Sequence, residues 1–456
     1  MTPVSLKWLR IALINLCIVA FLGVILRYKI AFSLPFVDQK NLLQGHSNFA
    51  FTGWISETLM ILMVSYLNKH GILNAYKKYR WLLLANLFSA YGMVLSFPLQ
   101  GYGLFSILFS VSSILVSYSF AVIFWRDLNR INIKLASRDW FKAAILFNVV
   151  SSLGAFALIL MMITHNLKQN WYLSSVYFFL HFQYNGWFLF ACGGLLIDKL
   201  YALKIISGLN RRIFFIFFAS CFPTYFLSIP WLPVPSWIFA LIALGAFAQI
   251  VAWAWLIVFI SRRNIHFDAE ISHIGKILLR LAAIAFTIKI TLQLGSIYPP
   301  LGKIAFGFRP IIIGYLHLVL LGVITIFLLG IIVSKKYIHL NRISMFGIGI
   351  FICGIIFNEG LLLNQGIFAM KYENIPYINE LLLMAAGIMF IGVTMLVSSQ
   401  FGKFEEVKPV LTPLPDKADI QVSSPLADTT HVFYKTRTVK NRGIRRLWGR
   451  WKNRGL

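Results

Sequence analysis

Residues 181–187 read His-Phe-Gln-Tyr-Asn-Gly-Trp, in the middle of a long apolar run. Two kindred stretches flank it: Gly45-His46-Ser47-Asn48-Phe49, with Trp54 downstream, and Gly314-Tyr315-Leu316-His317. His46 and His181 are 135 residues apart, and His181 and His317 are 136 apart. Of nine histidines, these three alone fall inside predicted membrane spans. An intramembrane imidazole is costly unless it has a partner, and it is one of the few side chains that can ligate a metal there. Each has a glycine nearby, which lets a flat ring approach the helix backbone. Three such residues at one period point to a cofactor layer on equivalent helices.

Outward from these stretches the chain is apolar almost throughout. Its 456 residues are 59% hydrophobic and 12% charged, far from the composition of a soluble domain. Runs of about 20 apolar residues, the length that crosses a bilayer as a helix, follow one another twelve times. Their predicted centres are Cys17, Ser56, Ala90, Leu115, Ala155, Phe188, Ser220, Gly245, Phe286, Leu320, Phe351 and Ile388. No ten-residue alternation of the kind a membrane β-barrel requires is present in the sequence. The first run follows Lys7 and Arg10 without a cleavage signature before Arg27, and reads as a retained anchor.

Lys and Arg number eighteen in the loops after even-numbered spans and six in the opposite loops. The positive-inside rule then puts both termini in the cytoplasm. The net charge of +27 is therefore mostly topology, not a nucleic-acid surface. Twelve spans marked on the second, sixth and tenth divide into three pseudo-repeated four-helix blocks, near 1–137, 138–270 and 271–400. Four is even, so the histidine helices run the same way. Each histidine lies ten or eleven residues into its span, about 15 Å deep at 1.5 Å per residue. The expectation is an all-α membrane protein: a twelve-span domain over 1–400, then a flexible basic cytoplasmic tail over 401–456. In that tail nine Lys and Arg between Lys435 and Arg454, interleaved with Trp448 and Trp451, suit an anionic lipid leaflet. Cys17, Cys192, Cys221 and Cys353 lie within spans without metal or redox spacing and read as packing residues.

Twelve spans, cytoplasmic termini, four-helix blocks and histidines on spans 2, 6 and 10 resemble subunit I of the haem-copper oxidases, including the nitric oxide reductase branch. The resemblance is topological over about residues 8–400. It implies a low-spin haem of b or related type clamped by His46 and His317, and a copper ligand at His181. Where the family has a high-spin haem ligand, two residues before the span 10 clamp, this chain has Tyr315. The family's histidine pair on span 7 is missing: the sequence there is Phe217-Phe218-Ala219-Ser220-Cys221-Phe222. One candidate copper ligand is then left, too few for a three-histidine site, so catalysis of oxygen reduction does not carry over. The resemblance further implies a cytochrome c or quinol donor, partner membrane subunits and a bacterial inner membrane.

Arg309 and Lys303, at the outer end of span 10, and Lys289 in span 9 are cations placed to meet haem propionates, or long side chains snorkelling to the interface. Glu57, Asn358 and Glu359 are intramembrane polar groups that suit either proton relays or helix packing. Two other function classes stay open. A secondary transporter would show a six-helix repeat and use Lys289, Glu57 and Glu359. A sensor or assembly protein would keep the oxidase scaffold without turnover.

Overall fold

In the computed structural model the described residues are 3–131, 135–166, 168–203, 209–262 and 272–401. The tail expected over 401–456 lies outside them except for Phe401. Among the described residues the fold is helical without strands. Twelve helical rods succeed one another: α1 (Pro3–Ala31), α2 (Gln39–Lys69), α3 (Ala75–Gln100), α4 (Leu104–Arg130), α5 (Ser137–Ile163), α6 (169–202), α7 (209–228), α8 (Ser236–Ser261), α9 (His273–Gly295), α10 (Arg309–Ser334), α11 (Arg342–Met370) and α12 (Ile378–Ser398). A short helix, Pro299–Gly307, precedes α10.

Ten of these rods are long and apolar enough to cross a membrane. The other two are α6 and α7. In α6 a mid-helix run of Gln183, Tyr184 and Asn185 lowers the hydropathy, and those side chains are buried among neighbouring helices. In α7 the α-helix covers only Leu209–Cys221, and Pro223, which cannot donate a hydrogen bond, opens a 3₁₀ segment over Pro223–Ser228.

Each rod packs on the next, and α12 closes on α1, so the unit over Met1–Gly402 is a ring of helices. Inside it α2, α6 and α10 also meet one another. The Trp54 indole on α2 donates to the Thr325 hydroxyl on α10 at 2.9 Å, and the Trp187 indole on α6 donates to the Ser56 hydroxyl on α2 at 3.1 Å. At the far ends of these helices the buried carboxylate of Asp198 (α6) receives Lys69 at 3.0 Å and His70 at 2.8 Å. With the Ser65 hydroxyl of α2 also 2.7 Å from that of Tyr337, just past the end of α10, contacts at both levels make the three helices parallel.

The same three helices share a second feature. Each widens from α- to π-geometry: Ala50–Ser56 in α2, Phe182–Phe188 in α6 and Leu318–Thr325 in α10. An extra residue per turn opens the backbone and leaves carbonyls short of donors. In α2 a side-chain amide supplies one, Asn15 Nδ2 donating to the Gly53 carbonyl at 2.6 Å, and Asn86 Nδ2 adds a second donor at 3.1 Å to the Thr52 carbonyl, which also accepts from the Glu57 N–H. The π segments begin one residue after His181 and His317, and four after His46.

Candidate functional site

His46 and His317 come together from α2 and α10. Each interacts electrostatically with Arg27 of α1, and His46 also with His317. Arg27 in turn has Arg309 and Glu359 as charged neighbours, so five ionisable groups from α1, α2, α10 and α11 form one cluster. All five retain accessible surface although apolar helices surround them. Asn358 Nδ2 donates to Glu359 Oε1 at 3.2 Å.

The two rings differ in what holds them. His317 Nδ1 lies 2.8 Å from the Ile313 carbonyl one turn earlier. A carbonyl only accepts, so Nδ1 carries the proton and Nε2 is left with its lone pair available. This is the arrangement that orients a metal-ligating histidine. His46 Nδ1 is buried without a hydrogen-bond partner, while the Val19 backbone is hydrogen-bonded to the imidazole. Gly23, four residues along α1 from Val19, faces the same ring: a Cβ there would stand 3.7 Å from His46 Cε1. A glycine here keeps the α1 wall of the cluster thin.

His181 is placed otherwise. Its Nε2 lies 2.9 Å from the Cys221 carbonyl on α7, and its Nδ1 accepts from Asn185 Nδ2 at 3.1 Å. Both ring nitrogens are thus engaged by protein, and the ring ties α6 to the end of the α7 helix. Among the described residues no three His, Cys, Asp or Glu side chains form a group able to hold a metal ion. The candidate metal ligands His46, His317 and His181 are therefore a pair and an outlier.

Tyr315 and His317 are two residues apart on a helix, about 200° around its axis, and so serve opposite faces. The Tyr315 ring lies 6.3 Å from that of Tyr184 on α6, which is itself 6.3 Å from His181. Lys289 belongs to this second face and not to the Arg27 cluster. Its ammonium donates to Gln293 Oε1 at 2.6 Å, and the chain continues from Gln293 Nε2 to Gln249 Oε1 at 3.0 Å and from Gln249 Nε2 to Ser220 at 2.9 Å. A cavity of about 10 Å³, lined by Lys289, Tyr184 and Asn185, lies between α6, α9 and α10. Lys303 is exposed on the short helix before α10. Glu57 is fully buried on α2; its Oε2 accepts from Asn86 at 2.8 Å and its Oε1 has no partner.

Sequence reasoning missed Arg27 and Gly23. Arg27, one of the six Lys and Arg assigned by the charge count to the outer loops, lies inside α1, a turn before the helix ends. That position, a cation within an otherwise apolar helix, is the signal that marks it. No family model and no curated protein matches this chain.

Proposed function

We propose that this chain is a twelve-span membrane haem protein with cytoplasmic termini, in which His46 and His317 hold the iron of one haem from two facing helices. The observation that carries the reading is that these two imidazoles, on α2 and α10, are electrostatic neighbours of each other and of Arg27 on α1, at positions that are not fully buried. Two features of the imidazoles support it: the buried Nδ1 of His46 lacks a hydrogen-bond partner, and the Ile313 carbonyl presets the ring of His317. Arg27 and Arg309 supply positive charge at the rim for carboxylates. A bound haem would supply one-electron exchange and, where a face is open, gas-ligand binding.

The three π segments recur on every fourth rod, which favours an oxidase-like scaffold of three four-helix blocks over a six-plus-six transporter. With His181 engaged on both nitrogens, copper has no ligand set here, and the work we propose is electron transfer or gas-ligand chemistry in a bacterial inner membrane. Its electrons would come from a cytochrome c or quinol donor. A reduced-minus-oxidised spectrum of the purified full chain tests this. Sharp haem bands are expected; a colourless protein, pure and folded, overturns it.

A further inference from the structure

Lys289 is 3% exposed inside α9, and its ammonium gives one of its three N–H bonds to Gln293 Oε1 at 2.6 Å. The Phe286 ring stands 5.8 Å away. The electrostatic neighbours of Lys289 are the Cys221 thiol and the His181 imidazole, with no carboxylate among them. Among the described residues the four carboxylates that are not exposed are engaged elsewhere: Glu57 with Asn86, Glu359 with Asn358, Asp127 with Lys78 and Asp198 with Lys69. A charge inside a bundle of apolar helices is costly unless an opposite charge accompanies it. Among the described residues none does.

Lys289 lines the cavity of about 10 Å³ between α6, α9 and α10. Two π segments supply most of the other walls: Tyr184 and Asn185 from α6, and Val319, Val323 and Ile324 from α10. Such turns are frequent at functional sites because they take side chains out of the regular helical register. Asn185 Nδ2 spends one N–H on His181 Nδ1 and keeps a second. The space admits one particle of about the size of water. We infer that it is a site for a single chloride ion, held by the Lys289 ammonium and an N–H of Asn185. The charge selects an anion, and the volume excludes tetrahedral oxyanions such as phosphate, which leaves a halide. A water molecule would fill the space and leave the ammonium uncompensated. The site lies on the Tyr315 face of α10 and is independent of the haem reading.

The test is thermal unfolding of the purified full chain in detergent, dialysed into sodium gluconate and titrated with sodium chloride at constant ionic strength. An ion that binds only the folded state raises the melting temperature, here by about 3 °C once chloride stands about a hundredfold above its Kd. Gluconate, too large for the cavity, has no such effect. Lys289→Met should be insensitive to chloride and, needing no counter-charge, at least as stable in gluconate as the parent protein. Val323→Leu, which adds a methylene to the cavity and leaves the charge, should raise the chloride midpoint about tenfold. Equal melting temperatures of the parent protein in chloride and gluconate, the result a neutral amine would give, overturn the assignment. So does a chloride response unchanged in Lys289→Met or, should that variant not fold, in Val323→Leu.

Discussion

The first halves of α6 and α10 and their second halves are packed in opposite ways, with α2 between the two patterns. Before the π segments, from Gln169 to Leu180 and from Arg309 to Leu318, no residue is fully buried. Beyond them Leu59, Ile61, Leu62, Leu195, Leu328, Leu329 and Ile331 are all inaccessible. The π turns mark the change in α6 and α10; α2 already buries Leu42, Gly45 and Phe49 before its own π turn. Hydropathy separates the halves in α2, whose first half reads Gln39-Lys40-Asn41 and Gln44-Gly45-His46-Ser47-Asn48, whereas in α6 and α10 both halves are largely apolar and differ in whether neighbouring helices close on them. The closed half is a scaffold locked by Trp54, Trp187 and Asp198. The open half is where His46, His317 and Arg27 meet.

If the open half holds the cofactor and the closed half only the fold, substitutions in the two should fail differently. The largest effect is expected from His46→Ala or His317→Ala: loss of the low-spin haem bands with little change in thermal unfolding. His181→Ala should keep the bands and lower the melting temperature, because it removes two buried hydrogen bonds. Next comes the α1 wall. Gly23→Leu should cut haem content several-fold, measured as haem per protein, while Gly23→Ala, whose Cβ would meet His46 at ordinary contact distance, should be tolerated. In the closed half Gly194 offers the counterpart, for a Cβ there would lie 2.7 Å from the buried Phe141 ring. Gly194→Ala should cost about 1–3 kcal/mol of stability, at unchanged haem content, as overpacked cores do.

Asp198→Asn should cost about 2 kcal/mol, less than a fully buried pair because the Lys69 side chain is 47% exposed. Smallest is Trp187→Phe, which removes one interhelical hydrogen bond to Ser56 and should cost about 1 kcal/mol or less.

The spacing of His46, His181 and His317 picks out the three helices that carry the π turns. Azimuth was not legible. Lys289, a candidate to meet haem propionates, turns instead toward Gln293 and Gln249, because rotation of a helix is set by packing against neighbours that the sequence does not name. His181 was read as a metal ligand; the partner that engages its Nε2 is a backbone carbonyl, which every residue has and no motif reveals. Arg27 was hidden by long range, since α1 reaches α10 and α11 only through the closed ring. The sixth rod passed as an ordinary span by its centre at Phe188, although its polar residues are spent inside the bundle and not on lipid.

Electron paramagnetic resonance of the oxidised full-length protein addresses the imidazole pair without assuming any activity. A low-spin ferric signal with two axial imidazoles is expected in the parent protein and in His181→Ala, giving way to high-spin iron or none in His46→Ala and in His317→Ala. A low-spin signal that persists in either of those last two variants would contradict the clamp.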